Sequence, residues 1–254
     1  MKKLLAVVII ISFIACNGNK RGSSETEDKN NTTSIKHPAP GCGKLVLFKK
    51  GAIIESTSYD AAGNETSKTT TTVSDVKNEG GILTATSSGS MKSAAVGDKS
   101  LNLIYKCDGD NLYMDINSMM QNFEGLNHVK GDIKPLQFPI NISVGQKLPD
   151  ASYTVAIDKG IKMDVTTTYK NRTVAAIEQV TTKGGSWPCY KVTTDIDSDV
   201  QGLDDNTKKM MEAAKAKLKM SMTMWFNPEM GIVKMEMYHS GTVNIRTEVT
   251  SVQY

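Results

Sequence analysis

Residues 218–238 read LKMSMTMWFNPEMGIVKMEMY, two apolar alternations separated by Asn227, Pro228 and Gly231. In the first, Leu218, Met220, Met222, Met224 and Phe226 hold every second position, and Lys219, Ser221, Thr223 and Trp225 hold the rest. A strand sends successive side chains to opposite faces, so this one presents a face that is apolar throughout. Val233, Met235 and Met237 repeat the pattern beyond the turn. The stretch predicts two strands that share a methionine-rich face, and so a sheet protein.

Outward from this point the same period of two recurs between turn signals. LNLIYKC and NLYMDI flank Asp108-Gly109-Asp110, and KLVLFKKGAIIESTSY runs into DAAGNETSK, where Gly63-Asn64 suits a tight turn. YTVAI, KMDVTTTY, TVAAIEQVTT, PCYKVTTDI and TVNIRTEVTSV complete the set of predicted strands. Strands at this short spacing predict a mainly β fold, a curved antiparallel meander forming a half-barrel or open barrel. Two stretches break the pattern. INSMMQNFEGL predicts a short helix near 116–124. DDNTKKMMEAAKAKLKM predicts an amphipathic helix at about 204–219, capped by Asp204, Asp205 or Asn206, with Met211, Ala214 and Leu218 along one face.

At the other end, MKKLLAVVIIISFIAC has two lysines, a short apolar run and a small residue before Cys16, which marks residues 1–15 as a secretory signal. Cys16 after Phe13-Ile14-Ala15 resembles a bacterial lipobox, which implies lipidation of that thiol and a membrane anchor. Residues 16–40 are polar and without apolar period, a flexible tether, and 41–254 form a single β-rich domain. By resemblance to sorting patterns of diderm bacteria, Asn17 directs the chain to the outer membrane, and Glu25, Glu27 and Asp28 resemble a surface-export signal. A formal net charge of +3 argues against nucleic acid and against strongly acidic partners.

The succession VLFKKGAIIESTSYDAAGNETSKTTTTV, YKCDGDNLYMDI, FPINISVGQKLPD, NRTVAAIEQVTTKGGSWPCYKV and MWFNPEMGIVKMEMYHSG resembles the TapB-like lipoproteins of Bacteroidota. The resemblance implies a curved sheet like that of the LolA and LolB lipoprotein carriers. Lys183-Gly184-Gly185 departs from the turn expected there, in a loop that carries no candidate site.

Chemistry is sparse. His37, His128 and His239 are scattered, no HExxH or CxxC occurs, and the acids of DGD (108–110) and DIDSD (195–199) sit in predicted loops. The chain is expected not to be an enzyme, and to need no cofactor or catalytic metal. Of the three cysteines beyond Cys16, Cys107 is expected to pair with Cys189, with Cys42 as the alternative partner. The methionines admit three readings. Met210, Met211, Met220, Met222, Met224, Met235 and Met237 could wall an adaptable apolar pocket or fill an ordinary core, and soft thioethers could hold Cu(I). Same-face residues about 7 Å apart on one strand argue against the metal. The expected function is a non-enzymatic envelope lipoprotein that binds or carries an apolar ligand or chaperones an envelope component. A structural or interaction module of an outer-membrane assembly is the alternative, and a Cu(I)-binding protein the third.

Overall fold

The computed structural model describes residues 41–254 apart from 96, 121–125, 159–161, 205–208 and 210–218. The signal at 1–15, Cys16 and the tether at 16–40 lie outside the described residues, as do Met210, Met211 and most of the helix expected at 204–219.

Among the described residues thirteen strands follow in chain order: β1 (Ile53–Asp60), β2 (Glu65–Glu79), β3 (Ile82–Ser93), β4 (Lys99–Cys107), β5 (Asn111–Met114), β6 (Leu126–Lys134), β7 (Leu136–Pro139), β8 (Ala151–Asp158), β9 (Lys162–Thr182), β10 (Gly185–Gln201), β11 (Met220–Asn227), β12 (Gly231–His239) and β13 (Thr242–Gln253). The expected short helix is present as α1 (Ile116–Met120). All strands belong to one sheet, in the order β6-β8-β9-β10-β11-β12-β13-β1-β2-β3-β4-β5-β7, and every neighbouring pair is antiparallel. The fold is mainly β, one large open antiparallel sheet.

The two edges of that ladder are consecutive pieces of chain. β6 and β7 are separated by Pro135 alone, yet β6 pairs with β8 and β7 pairs with β5. Consecutive Cα atoms are about 3.8 Å apart, so the first and last strands must meet at Pro135. The sheet therefore curls through a full turn. No hydrogen-bonded pair among the described residues joins β6 to β7, and the ladder stays open along that seam.

Alternation of strand direction puts the turns at 79–82, 107–111, 182–185 and 227–231 at one end. The segment before β1 closes that end. KLVLF does not join the first strand. It forms two 3-10 turns, Cys42–Lys44 and Val46–Phe48, because Leu45, Val46, Leu47 and Phe48 all bury their side chains, which a strand with alternating faces could not achieve. The Val46 amide donates to the Glu229 carbonyl at 2.7 Å, in the β11–β12 turn. Gly231 ends that turn at φ 86°, and a Cβ there would come within 3.0 Å of Leu47, so this position suits glycine on both counts.

The same segment corrects the expected disulfide. Cys42 is bonded to Cys107, their Cα atoms 6.0 Å apart, and Cys189 is a buried free thiol. Cys107 is thus already engaged, and the expected Cys107–Cys189 pair is not formed; Cys189 stands on β10, with six strands of the ladder between it and β4. Cys42 reaches Cys107 because the 3-10 turns carry it across the closed end.

Two apolar clusters fill the curl. The larger joins the plug to Phe138, Val174, Val192, Met222, Met224, Phe226, Val233 and Met237, with Phe138 and Phe226 stacked at 4.8 Å between ring centroids. The smaller gathers Ile116 of α1 with Tyr153, Val155, Ile157, Met163, Val165 and Val200. Tyr169 packs against both.

Candidate functional site: a methionine-lined cavity

The opening stretch supplies the centre of the site. β11 and β12 pair with Met222 opposite Met237 and Met224 opposite Met235. Directly opposed residues in an antiparallel pair have Cβ atoms about 5 Å apart, so these four thioethers form two adjacent rungs on one face. The rungs continue sideways to Thr194 and Val192 of β10 and to Ile245 and Thr247 of β13.

Beneath the rungs lies a partly open cavity of about 160 Å³. Its walls include Met222, Met224, Met235 and Met237 from the hairpin, Met114 from β5 and Met119 from α1. Thr167 and Tyr169 of β9 and Leu136 of β7 complete the side along the seam. Of the expected pocket residues, Met222, Met224, Met235 and Met237 come together here. Met220 packs against the larger cluster without lining the cavity, and Met210 and Met211 fall outside the described residues. Met114 and Met119 were not foreseen. They are distant in sequence from the hairpin, and only the curl of the sheet brings them to it.

The opposite face of the same strands carries a network of polar contacts around Trp225. Trp225 donates its indole N–H to Glu178 Oε2 at 2.7 Å, and Lys191 Nζ meets Glu178 Oε1 at 2.9 Å. Lys234 lies 4.4 Å from the Trp225 ring centroid and 2.7 Å from Glu236, which also accepts the Tyr238 hydroxyl at 2.5 Å. Burial alone would raise the Glu178 carboxyl, but the hydrogen bonds from Trp225 and Lys191 outweigh it and hold it below the usual range. Cys189, near Glu178, has its thiol pushed up to about 12 by burial and by that carboxylate.

A second polar feature lies within the fold. Arg172 of β9 is 1% exposed. Its Nη1 donates to the Pro149 carbonyl at 2.7 Å and its Nη2 to the Gln137 carbonyl at 2.9 Å, tying β7 back towards β9 across the seam. Burial lowers its pKa to about 10, opposed by the charge of Asp150 and by Tyr169, so it remains a cation at neutral pH. No motif announced it. Among the described residues, no three His, Cys, Asp or Glu side chains gather as a metal site.

Residues 49–247 match the model of the DUF3108-like family. Two solved structures are similar. One is a Bacteroides fragilis protein described as exported and with a YmcC-like fold, at TM-score 0.59 and 17% identity, covering 81% of this chain and 97% of that one. The other is a protein of Parabacteroides distasonis described as a lipoprotein, at TM-score 0.61 and 16% identity, covering 83% of this chain and 98% of that one. At such identities the likeness establishes the fold. No curated protein matches the chain.

Proposed function

The chain belongs to the DUF3108-like family, and from that premise we propose that it is a non-enzymatic lipoprotein of the cell envelope whose curled sheet holds a small apolar ligand. The observation that carries the reading is the cavity, about 160 Å³ between two apolar clusters, with six thioethers in its wall. An enclosed apolar cavity of about 150 Å³ takes up benzene or xenon, and a partly open one of similar size with flexible methionines in its wall can adapt to such a ligand. Room of this size suits a compact ligand or one end of a longer apolar chain.

The address is part of the proposal. Cys16 carries the lipid anchor, and Asn17 after it directs the chain to the outer membrane. The names of the two similar structures, one exported and one a lipoprotein, support an envelope protein. The likeness to the TapB-like lipoproteins and to the LolA and LolB carriers belongs to the same reading.

Benzene titration tests it. Ligand that binds only the folded chain raises its melting temperature with concentration. Saturating benzene is expected to raise Tm in the native chain and not in Met235→Trp, which fills the cavity from its half-buried wall. A native chain without a shift overturns ligand binding and leaves the interaction module.

One observation favours a second reading. The opposed pairs Met222/Met237 and Met224/Met235 set four thioether residues on neighbouring strands, nearer one another than residues two apart on a single strand, which favours a Cu(I) reading. Titration with Cu(I) against a chelator tests it, and a native chain that cannot compete removes it.

A further inference from the structure

The cavity wall is richer in sulfur than an apolar wall needs to be. Branched side chains such as Leu136 and Val233 hold part of it, yet six positions are methionine. A methionine loses more rotamer freedom on burial than leucine or isoleucine, so a wall that had only to be apolar would form as well, and more rigidly, from the branched residues. What a thioether adds is a polarisable sulfur, which is attracted to an aromatic ring, above all at its edge, and has no such preference for a saturated chain.

The thioethers also come from two sides of the curl. Five strands of the ladder stand between β12 and β5, and five more lie between β5 and β11 by way of the seam at Pro135. The four methionines of the β11–β12 hairpin therefore border the space from one side, and Met114 of β5 with Met119 of α1 border it from the other. The only aromatic side chain in the wall is Tyr169, and its ring is already tilted against Tyr153 at 6.2 Å between centroids. The wall thus sets six thioethers around the space and a single ring beside it.

We propose that the ligand presents a planar unsaturated ring, as a compact aromatic molecule or as the ring end of a longer apolar one, held between the hairpin methionines and the pair Met114 and Met119. This rests on the reading of the cavity as an apolar ligand site. Sulfur on two sides lets one ring meet thioethers at its edge from both, which a saturated ligand of the same size cannot use.

The test uses the full exported chain carrying Cys16→Ser, so that no detergent is needed, titrated with benzene and with cyclohexane. Cyclohexane leaves water more readily than benzene, and comparing the ratio of the two affinities between two chains cancels that difference. The second chain carries Met119→Leu and Met235→Leu, one change on each side, both half-buried and close in volume to the residues they replace. The benzene-to-cyclohexane ratio is expected to fall about fivefold in this variant, the size of two lost sulfur–ring contacts. An unchanged ratio means that the methionines supply adaptability alone; it overturns the ring and leaves the apolar reading standing. Failure of both hydrocarbons to bind the native side chains overturns this inference and the apolar reading together. A second measurement needs no variant: with isotope-labelled methionine methyls, benzene is expected to move the Met119 and Met235 signals upfield through its ring current, and cyclohexane to leave them in place. Methyl signals that saturating benzene does not move overturn the proposal.

Discussion

The closed end of the sheet and its methionine region are built from the same strands, yet one is sealed and the other is hollow. At the closed end Leu45, Val46, Leu47 and Phe48 are all buried, a disulfide ties Cys42 to the β4–β5 turn, and Val46 is bonded to the β11–β12 turn. A few residues along β11 and β12, four methionines from that hairpin border about 160 Å³ of space. Branched and aromatic side chains pack in few arrangements, while thioethers tolerate gaps. On the proposed reading, stability is concentrated where the chain is plugged, and the methionine region is the part left for a ligand.

The largest expected effect comes from unfastening the plug. The bridge closes a loop of 65 residues, and losing it through Cys42→Ser with Cys107→Ser is expected to cost about 4 kcal/mol in urea denaturation. The thiols give a parallel check. Cys189 is buried with its pKa pushed up to about 12, so the Cys16→Ser chain should show no reactive thiol at pH 8 when folded and one when denatured without reductant. Three reactive thiols in the denatured chain would contradict the bridge.

A direct comparison of the two regions follows. Leu45 is fully buried in the plug, and Leu45→Ala is expected to cost about 3 kcal/mol. Met235 is only half-buried and already borders empty space, so Met235→Ala should cost about 1 kcal/mol, since it removes fewer contacts. Equal losses in thermal denaturation would mean that the methionine region is packed as tightly as the plug, and the comparison would fail.

What the sequence made legible follows the same line. The hairpin at 218–238 could be read because its apolar residues fall at period two on one face, and that face is the wall of the cavity. The strands β2 and β3 escaped notice because Thr and Ser occupy both of their faces, as in ETSKTTTTVSDVKNE, and leave no apolar alternation. KLVLF reads as strand in the sequence because a short apolar run looks alike whether it enters a sheet or packs inside one. Met114, Met119 and Arg172 gave no signal. Their roles arise from the closure of the curl at Pro135, a long-range property that no local pattern carries.

The smallest expected effect lies on the outer face of the same strands, where Glu178 joins Lys191 to Trp225. Its folded pKa is depressed, so its contribution is fully present above the unfolded value of about 4.3 and is lost as pH falls through the folded value. The carboxylate is 39% exposed and solvent screens it, which keeps the contribution at about 1 kcal/mol or less. Glu178→Gln should therefore leave urea stability nearly unchanged at pH 3 and lower it slightly at pH 7, flattening the acid limb of the profile. Benzene binding should not change, because the carboxylate faces away from the methionines across the thickness of the sheet. A Glu178→Gln chain that kept its stability at pH 7 but lost benzene binding would show that the two faces are coupled, and the independence of the polar outer face from the cavity would have to be given up.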